Sequence, residues 1–357
     1  MAMRLTFNRL IDIDEDITNR SNYPISTVGG FGDVYRGTFI RRHHHRENEL
    51  IDCAIKIMKY KGELSDNFEL FHRELQSQLR VKHSALLPLL GFSISPQREE
   101  KLAIITPFMP NGSLRTILSN EKRGDAPLEW DDKKRIITII GIAAGLYKMH
   151  QENLIHRDIK PENILFDEEF HPKICDFGLS RVFEDGLDEI VQATCCGTER
   201  YVAPEMMEGE GYNSKVDVFA FGLVLFEIFT NETFYERLAR EGNNYFTVLI
   251  NGLRPDLTDD VRFNPFFKKL IEECWSNNPD DRPSFEEILN RLLEAYKSDG
   301  LGSKDPEIDY YISDVVGCLG FDVSFFLNVF FLEKVSIFKK KWILFKFLIQ
   351  SLLIYFC

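Results

Sequence analysis

The chain has 357 residues, 44% of them hydrophobic and 28% charged, and its 43 Lys+Arg against 56 Asp+Glu leave a formal net charge of -13. That length suits one large domain or two lobes sharing a cleft, and the composition excludes collagen-like, low-complexity and wholly disordered chains. The acidic balance argues against nucleic acid as the main partner, because phosphate backbones require a basic face, and seven Cys without CxxC spacing make neither a disulfide scaffold nor a structural zinc site.

Residues 1–19 read as a polar leader with room for a short helix. Their N-terminal part lacks the apolar core of a signal peptide, so a reducing, cytoplasmic setting is expected. Residues 26–61 are expected to form three strands. Val34, Tyr35 and Gly37 follow a Gly-rich turn, and Cys53-Ala54-Ile55-Lys56-Ile57-Met58 is a run of strand length. The polar connection with His43, His44 and His45 reads as a solvated loop, with metal binding as the less favoured use. Phe68, Phe71, Leu75 and Leu79 recur at three- and four-residue spacing, which predicts a helix over 65–82. Residues 86–94 and 102–107 read as strands. After Asn111-Gly112 the pattern turns helical: 130–150 is long and apolar-periodic, 219–229 is apolar nearly all round and so buried, and 263–275 and 284–296 close the series. The result is a small β-rich lobe, a connector near Pro107 to Gly112 and a larger helical lobe, with no internal repeat.

The first chemical signal is Thr27-Val28-Gly29-Gly30-Phe31-Gly32-Asp33-Val34. Glycines between two strands let backbone N–H groups approach a phosphate closely. Alone, such a hairpin is more often only a turn. Lys56 follows on a strand and supplies a fixed positive charge if it faces that loop; a solvent-facing edge lysine is the plainer reading. Glu74 is either a solvated helix carboxylate or the partner that aims Lys56, and local context leaves both open.

His156-Arg157-Asp158-Ile159-Lys160-Pro161-Glu162-Asn163 decides between them. A carboxylate at Asp158 can accept a hydrogen bond from a hydroxyl nucleophile, Lys160 can neutralise charge on a transferred phosphoryl group, and Asn163 offers an oxygen to Mg2+. Lys173-Ile174-Cys175-Asp176-Phe177-Gly178 then places a second acidic ligand after a strand. This order and spacing resembles the eukaryotic protein-kinase family over roughly residues 20–298, including Ala203-Pro204-Glu205, Asp217 to Gly222, Trp275, Arg282 and Pro283. The resemblance implies an α+β, two-lobed protein kinase fold with a β-rich N-lobe (20–108) and a larger α-helical C-lobe (113–298). It implies ATP and Mg2+ as cofactors and a protein substrate. Lys56 would bind the α/β-phosphates and pair with Glu74. Asp158 would be the catalytic base, Lys160 would touch the γ-phosphate, and Asn163 and Asp176 would hold the metal. Val28, Gly29, Gly32, Val34, Ala54, Thr106, Met109 and Leu165 would line the nucleotide site, with Thr106 as gatekeeper and Met109 in the hinge. Asp217 would brace the catalytic loop, and Arg282 would pair with Glu205.

Lys160 and the run Gly197-Thr198-Glu199-Arg200-Tyr201-Val202-Ala203-Pro204-Glu205 resemble the Ser/Thr type, with Thr198 able to bond Asp158 and Lys160. Leu89-Leu90-Gly91-Phe92 and Phe108 to Leu114 are tyrosine-kinase-like, so the combination resembles the tyrosine-kinase-like group, whose members mostly phosphorylate Ser/Thr. A nucleotide-binding scaffold without catalysis is the rival, disfavoured because Lys56, Asp158, Asn163 and Asp176 are all present. Two departures stand out. Thr27 replaces the first loop glycine, and Gln78 falls where the family places an apolar residue stacked with Phe177 and His156, so its amide is expected to loosen the helix. Arg157 is expected to pair with a phosphate on the segment between Asp176 and Glu205, on Thr194 first, with Ser180 and Tyr201 behind it.

Residues 301–357 carry equal numbers of acidic and basic side chains, and nine Phe occur from Phe321 onward. A membrane span needs roughly 20 apolar residues, and Lys339, Lys341 and Lys346 interrupt any such run. Three readings compete for 321–357: an amphipathic anchor on anionic lipid, a segment docked on the core, and read-through non-coding sequence. The Phe, Lys, Ile, Leu and Tyr bias of AT-rich codons favours the last over membrane contact.

Overall fold

The fold is seen in a computed structural model. It describes residues 10–321 apart from 27–31, 43–46, 60–63, 96–100, 184–197, 210, 241, 243–251, 258–259, 261, 299 and 302–303. Val28, Gly29, the His43 to His45 tract, Thr194 and the segment 322–357 lie outside the described residues.

The small lobe is a five-stranded antiparallel sheet with one long helix. A single turn, α1 (Ile13–Asp16), leads into β1 (Ile17–Thr18), which pairs with β2 (Gly32–Arg41). β3 (Glu49–Met58) pairs with β2 along its whole length, from Gly32 opposite Met58 to Arg41 opposite Glu49. Then come α2 (Leu64–Arg80), β4 (Gly91–Ser95) and β5 (Lys101–Pro107), giving the strand order β1-β2-β3-β5-β4. The period-2 alternation of β5 splits the core in two. Leu102 and Ile104 join Met58, Phe71, Leu75 and Phe92 beneath α2. Ala103 and Ile105 join Cys53, Ile55, Ile11 and Ile17 on the opposite face.

Past the connector, where Gly112 turns at φ +69, the large lobe is mostly helical. It comprises α3 (Leu114–Lys122), α4 (Asp132–Gln151), the strands β6 (Leu154–Ile155), β7 (Ile164–Phe166), β8 (Pro172–Ile174) and β9 (Arg181–Val182), then α5 (Pro204–Met207), α6 (Lys215–Thr230), α7 (Phe234–Arg240), α8 (Pro265–Cys274), α9 (Phe285–Lys297) and α10 (Pro306–Gly317). α4 starts where the Asp131 side chain accepts from the Lys134 N–H, and α9 starts on a Ser284/Glu287 capping box. α6 is buried on every side, as its unbroken apolar run requires, and ends at Asn231 in the left-handed region.

Four elements depart from the sequence reading. Residues 10–18 are not a free leader: the Ile11 N–H donates to the Phe92 carbonyl at 2.9 Å, and Ile17 and Thr18 form the sheet edge. Among the described residues of 26–61 there are two long strands, with Ser26 joined to Val34 as an isolated bridge. In 86–94 only the last residues enter the sheet; Leu86 bridges Ile174 at the lobe junction instead. The apolar packing also runs past 298. Ile308, Tyr311, Ile312, Val315 and Val316 of α10 are buried in the large-lobe core against α4.

Ile312 is fully buried. Ile312→Ala is expected to destabilise the protein by about 2–5 kcal/mol, the usual cost of such a cavity, read as a lower urea midpoint. An unchanged midpoint would mean that α10 is not docked on α4.

Candidate active site

The N-lobe side of the cleft is organised by Lys56, which lies on β3 opposite Val34 and Ile104. Its Nζ donates to both Glu74 oxygens, at 2.8 and 2.9 Å, and to Asp176 Oδ1 at 2.8 Å. The pair that the resemblance implied is present, and Glu74, which its local context left undecided, is a buried ion-pair partner and not a solvated carboxylate. Burial alone would lower the Lys56 ammonium, but the two carboxylates outweigh it and hold the group above its ordinary value. Burial pushes Glu74 up against the pull of Lys56. For Asp176 the burial penalty is outweighed by Lys56, which holds that carboxyl low.

Around this trio sit the residues expected to line a nucleotide. A Cβ on Gly32 would lie 2.7 Å from the Ile57 carbonyl oxygen and 3.2 Å from Lys56 Cγ, so only glycine lets β2 pass so close over the lysine. Ala54 pairs with Thr106 across β3 and β5. Met109 packs with Leu87 and Cys175, and Leu165 closes that small cluster between the lobes. Val34 and Ala54 are half-buried.

The C-lobe side is built on Asp217, in the first turn of α6. Its buried carboxylate accepts from the backbone N–H of His156 (2.9 Å), the backbone N–H of Arg157 (2.8 Å) and His150 Nε2 (2.9 Å). Burial would raise this carboxyl, but the His150 hydrogen bond and its neighbours hold it below its ordinary value. Arg157 takes φ +66 at this point, a costly left-handed value for a residue other than glycine, held by the backbone bonds of His156 and Arg157 to Asp217. The loop then turns Asp158 into the cleft. Asp158 Oδ1 accepts from the Thr198 N–H and hydroxyl, both at 2.9 Å. Oδ2 accepts from Lys160 at 2.6 Å and from Asn163 Nδ2 at 2.9 Å. Lys160 also donates to Thr198 Oγ1 at 2.6 Å.

The donor set fits a hard divalent cation. Asn163 spends its amide nitrogen on Asp158, which leaves the amide oxygen as a ligand, and Asp176 meets Lys56 through Oδ1 alone. The Cys175 N–H donates to the Asn163 carbonyl at 2.9 Å, which keeps the two ligand-bearing segments side by side. Asp176 adopts φ +63 before the turn at Phe177–Leu179. Among the described residues no group of three or more His, Cys, Asp or Glu forms a metal cage. Such a cage is not what Mg2+ requires, since it keeps several waters and substrate phosphates in its shell.

Several features were not read from the sequence. Arg115 on α3 joins Glu162 (2.8 Å), Glu227 (2.8 Å) and the Tyr201 hydroxyl (2.6 Å), and Tyr201 donates to Glu227 at 2.5 Å. Burial pushes Glu227 to about 6 despite Arg115. The signal was available: Glu227 is the one acidic residue past the first turn of the otherwise apolar α6. By contrast, the Arg282–Glu205 pair that the resemblance implied is present, two-pronged and buried, at 2.6 and 2.9 Å. In the unmodified chain the Arg157 guanidinium donates to the Leu179 carbonyl (2.6 Å) and the Tyr212 hydroxyl (2.7 Å); Thr194, its first expected phosphate partner, lies outside the described residues. Ser180 and Tyr201, the secondary acceptors, are both buried and so inaccessible to a modifying enzyme in this structure.

A family model described as protein tyrosine and serine/threonine kinase matches residues 27–292. The chain is 34% identical over 277 residues to the serine/threonine-protein kinase STY46 of Arabidopsis thaliana, covering 76% of this chain and 43% of that protein. It is 31% identical over 277 residues to the serine/threonine-protein kinase STY17 of the same plant, covering 76% and 44%. It is 33% identical over 278 residues to an Arabidopsis L-type lectin-domain containing receptor kinase, covering 74% and 39%. The chain thus spans less than half the length of each of these relatives.

Gln78 is buried on α2, and its Oε1 has no hydrogen-bond partner among the described residues. The His156 ring meets Phe177, the first residue of the turn that α2 packs against, at 5.6 Å in a tilted arrangement. Gln78→Leu removes a desolvated polar atom and is expected to raise stability by about 1–3 kcal/mol, seen as a higher denaturant midpoint. A fall in midpoint would show that the amide is satisfied.

Proposed function

The chain belongs to the protein tyrosine and serine/threonine kinase family, and from that premise we propose that it transfers the γ-phosphoryl group of ATP to serine or threonine hydroxyls of protein substrates. The observation that carries this reading is the closed set of contacts on Asp158: one oxygen on Thr198, the other on Lys160 and Asn163. A short hydroxyl must come close to the loop floor to reach a base at Asp158. The Thr198–Lys160 pair builds that floor, which supports Ser/Thr over Tyr as acceptor. The named serine/threonine kinases among the relatives support the same choice.

In this reading Asp158 orients the acceptor hydroxyl and takes its proton as the bond to phosphorus forms. Lys160 offsets charge on the transferred group, and Lys56, aimed by Glu74, holds the α/β-phosphates. Mg2+, when bound by Asn163 and Asp176, would neutralise charge on the phosphate oxygens. Ala54, Thr106, Met109 and Leu165 would line the adenine ring of the nucleotide, while Gly32 lets the strand above Lys56 lie close to the phosphates. Catalysis is then mostly positioning and charge stabilisation, already arranged by Asp217 and Lys56. Tyr201, Arg115, Glu162 and Glu227 flank the acceptor floor and hold the start of α5 against α6. A reducing intracellular setting is part of the proposal, supported by the unpaired state of Cys53, Cys175, Cys274 and Cys318.

With labelled ATP, Mg2+ and a generic protein substrate, the wild type is expected to label Ser and Thr but not Tyr. Asp158→Asn is expected to lower the rate by about 100- to 10,000-fold, the range for loss of a general base, with nucleotide binding retained. Equal and negligible transfer by both proteins, with ATP still bound, would replace this reading by a nucleotide-binding scaffold.

A further inference from the structure

Helix α10 lies beyond the segment matched by the family model, 27–292, yet it is built into the C-lobe. Gly141 and Gly145 sit one turn apart on α4. A Cβ on Gly141 would lie 2.2 Å from the Tyr311 hydroxyl and 2.5 Å from Pro172 Cγ. A Cβ on Gly145 would lie 2.8 Å from Ile174 Cδ1 and 3.2 Å from Leu86 Cδ2. One bare strip of α4 therefore seats α10, β8 and the 83–87 turn side by side.

Across that strip runs a continuous line of hydrogen bonds. Val315 carries one of the last four carbonyls of α10, which have no partner within the helix, and His83 Nε2 donates to it at 2.6 Å. His83 Nδ1 accepts from the Ala85 N–H at 3.1 Å, so the ring is the neutral Nε2–H tautomer. Burial favours that form by pushing His83 below its ordinary value, with Asp314, Lys148 and Lys173 as the charged groups around it. The Ala85 carbonyl accepts from the Ile174 N–H at 2.9 Å, the Leu87 N–H returns to the Ile174 carbonyl at 2.9 Å, and Lys173 Nζ donates to the Ser84 carbonyl at 2.7 Å. Ile174 ends β8, and Asp176 follows after Cys175. On the other side, α2, which carries Glu74, ends at Arg80 just before His83.

We propose that His83 is a positioning residue for the phosphoryl-transfer site, tying α10 to the turn from which both α2 and the strand before Asp176 are held. The kinetic part of this inference rests on the proposed kinase activity; the structural part does not. The two partners of Lys56 reach it from segments that meet at this turn, so release of α10 loosens both.

The test uses the full chain with hydrogen exchange read by mass spectrometry, alongside steady-state phosphorylation. His83→Gln places an amide nitrogen near the Nε2 position and keeps the tether; His83→Asn is too short to reach Val315. His83→Asn is expected to speed exchange about fivefold, the factor one net hydrogen bond carries, in 306–317 and also in 71–80 and 172–178. It lowers kcat by a similar factor, and His83→Gln restores both. Ile312→Ala, which removes a buried α10 side chain and leaves His83 in place, is the second variant and gives the same rise in all three segments. A rise confined to 306–317 in either variant, or failure of Gln to rescue what Asn removes, overturns the proposal. If the wild type transfers no phosphate, the kinase reading falls while the exchange pattern still decides the role of His83.

Discussion

An ammonium group taken out of water must be repaid at close range, and Lys56 is the point where this chain does so. Desolvating such a charge costs several kcal/mol, and one surface ion pair returns about 1 kcal/mol or less. Two carboxylates at 2.8 Å change that balance. Glu74 comes from α2 and Asp176 from the segment after β8, so a single cation pins a sheet, a helix and a C-lobe loop to one another. Loss of Lys56 would leave two carboxylates facing each other in the cleft, which makes the geometry of the site and the docking of the two lobes one and the same constraint.

The catalytic loop solves a different problem by the same means. Its backbone bends through a left-handed residue at Arg157, a conformation that costs of order 1–3 kcal/mol unless its surroundings impose it. Asp217 imposes it, because a carboxylate buried at the start of α6 needs donors, and two backbone N–H groups and His150 supply them. The loop is thus anchored from below by an acceptor and presents Asp158 above as another acceptor. Thr198, Lys160 and Asn163 already point at that second carboxylate. Donors oriented before the reaction need no reorganisation during it.

The C-lobe floor shows how far the packing extends beyond the catalytic segments. Glu205 and Arg282 form a pair whose guanidinium is wholly shielded from solvent, while Gly141 and Gly145 keep one face of α4 bare enough for two layers to rest on it. Helix α10 rests on that face through Tyr311, beside Gly141. Tyr147 and Phe321 meet edge-on at 5.5 Å just past its end, so the apolar surface is covered up to the last described residue.

Much of the chemistry was legible without coordinates. Asp158, Lys160 and Asn163 lie within one short stretch, and Asp176 follows a strand-and-glycine pattern, so their joint presence is a local property of the sequence. Helix α2 and the buried helix α6 were likewise legible from apolar spacing, because periodicity reports a buried face directly. What the sequence left open were pairings between distant positions. Local context left open whether Glu74 faced solvent or Lys56, and whether residues 10–18 and 306–317 belonged to the core was likewise a question of tertiary contact. A single carboxylate in a helix, a lone histidine before a turn, or two glycines on an apolar face look alike in sequence whether they are exposed or buried. Only the assembled fold decides, because burial is set by what packs on top, and in each of these cases the covering group arrives from a remote part of the chain.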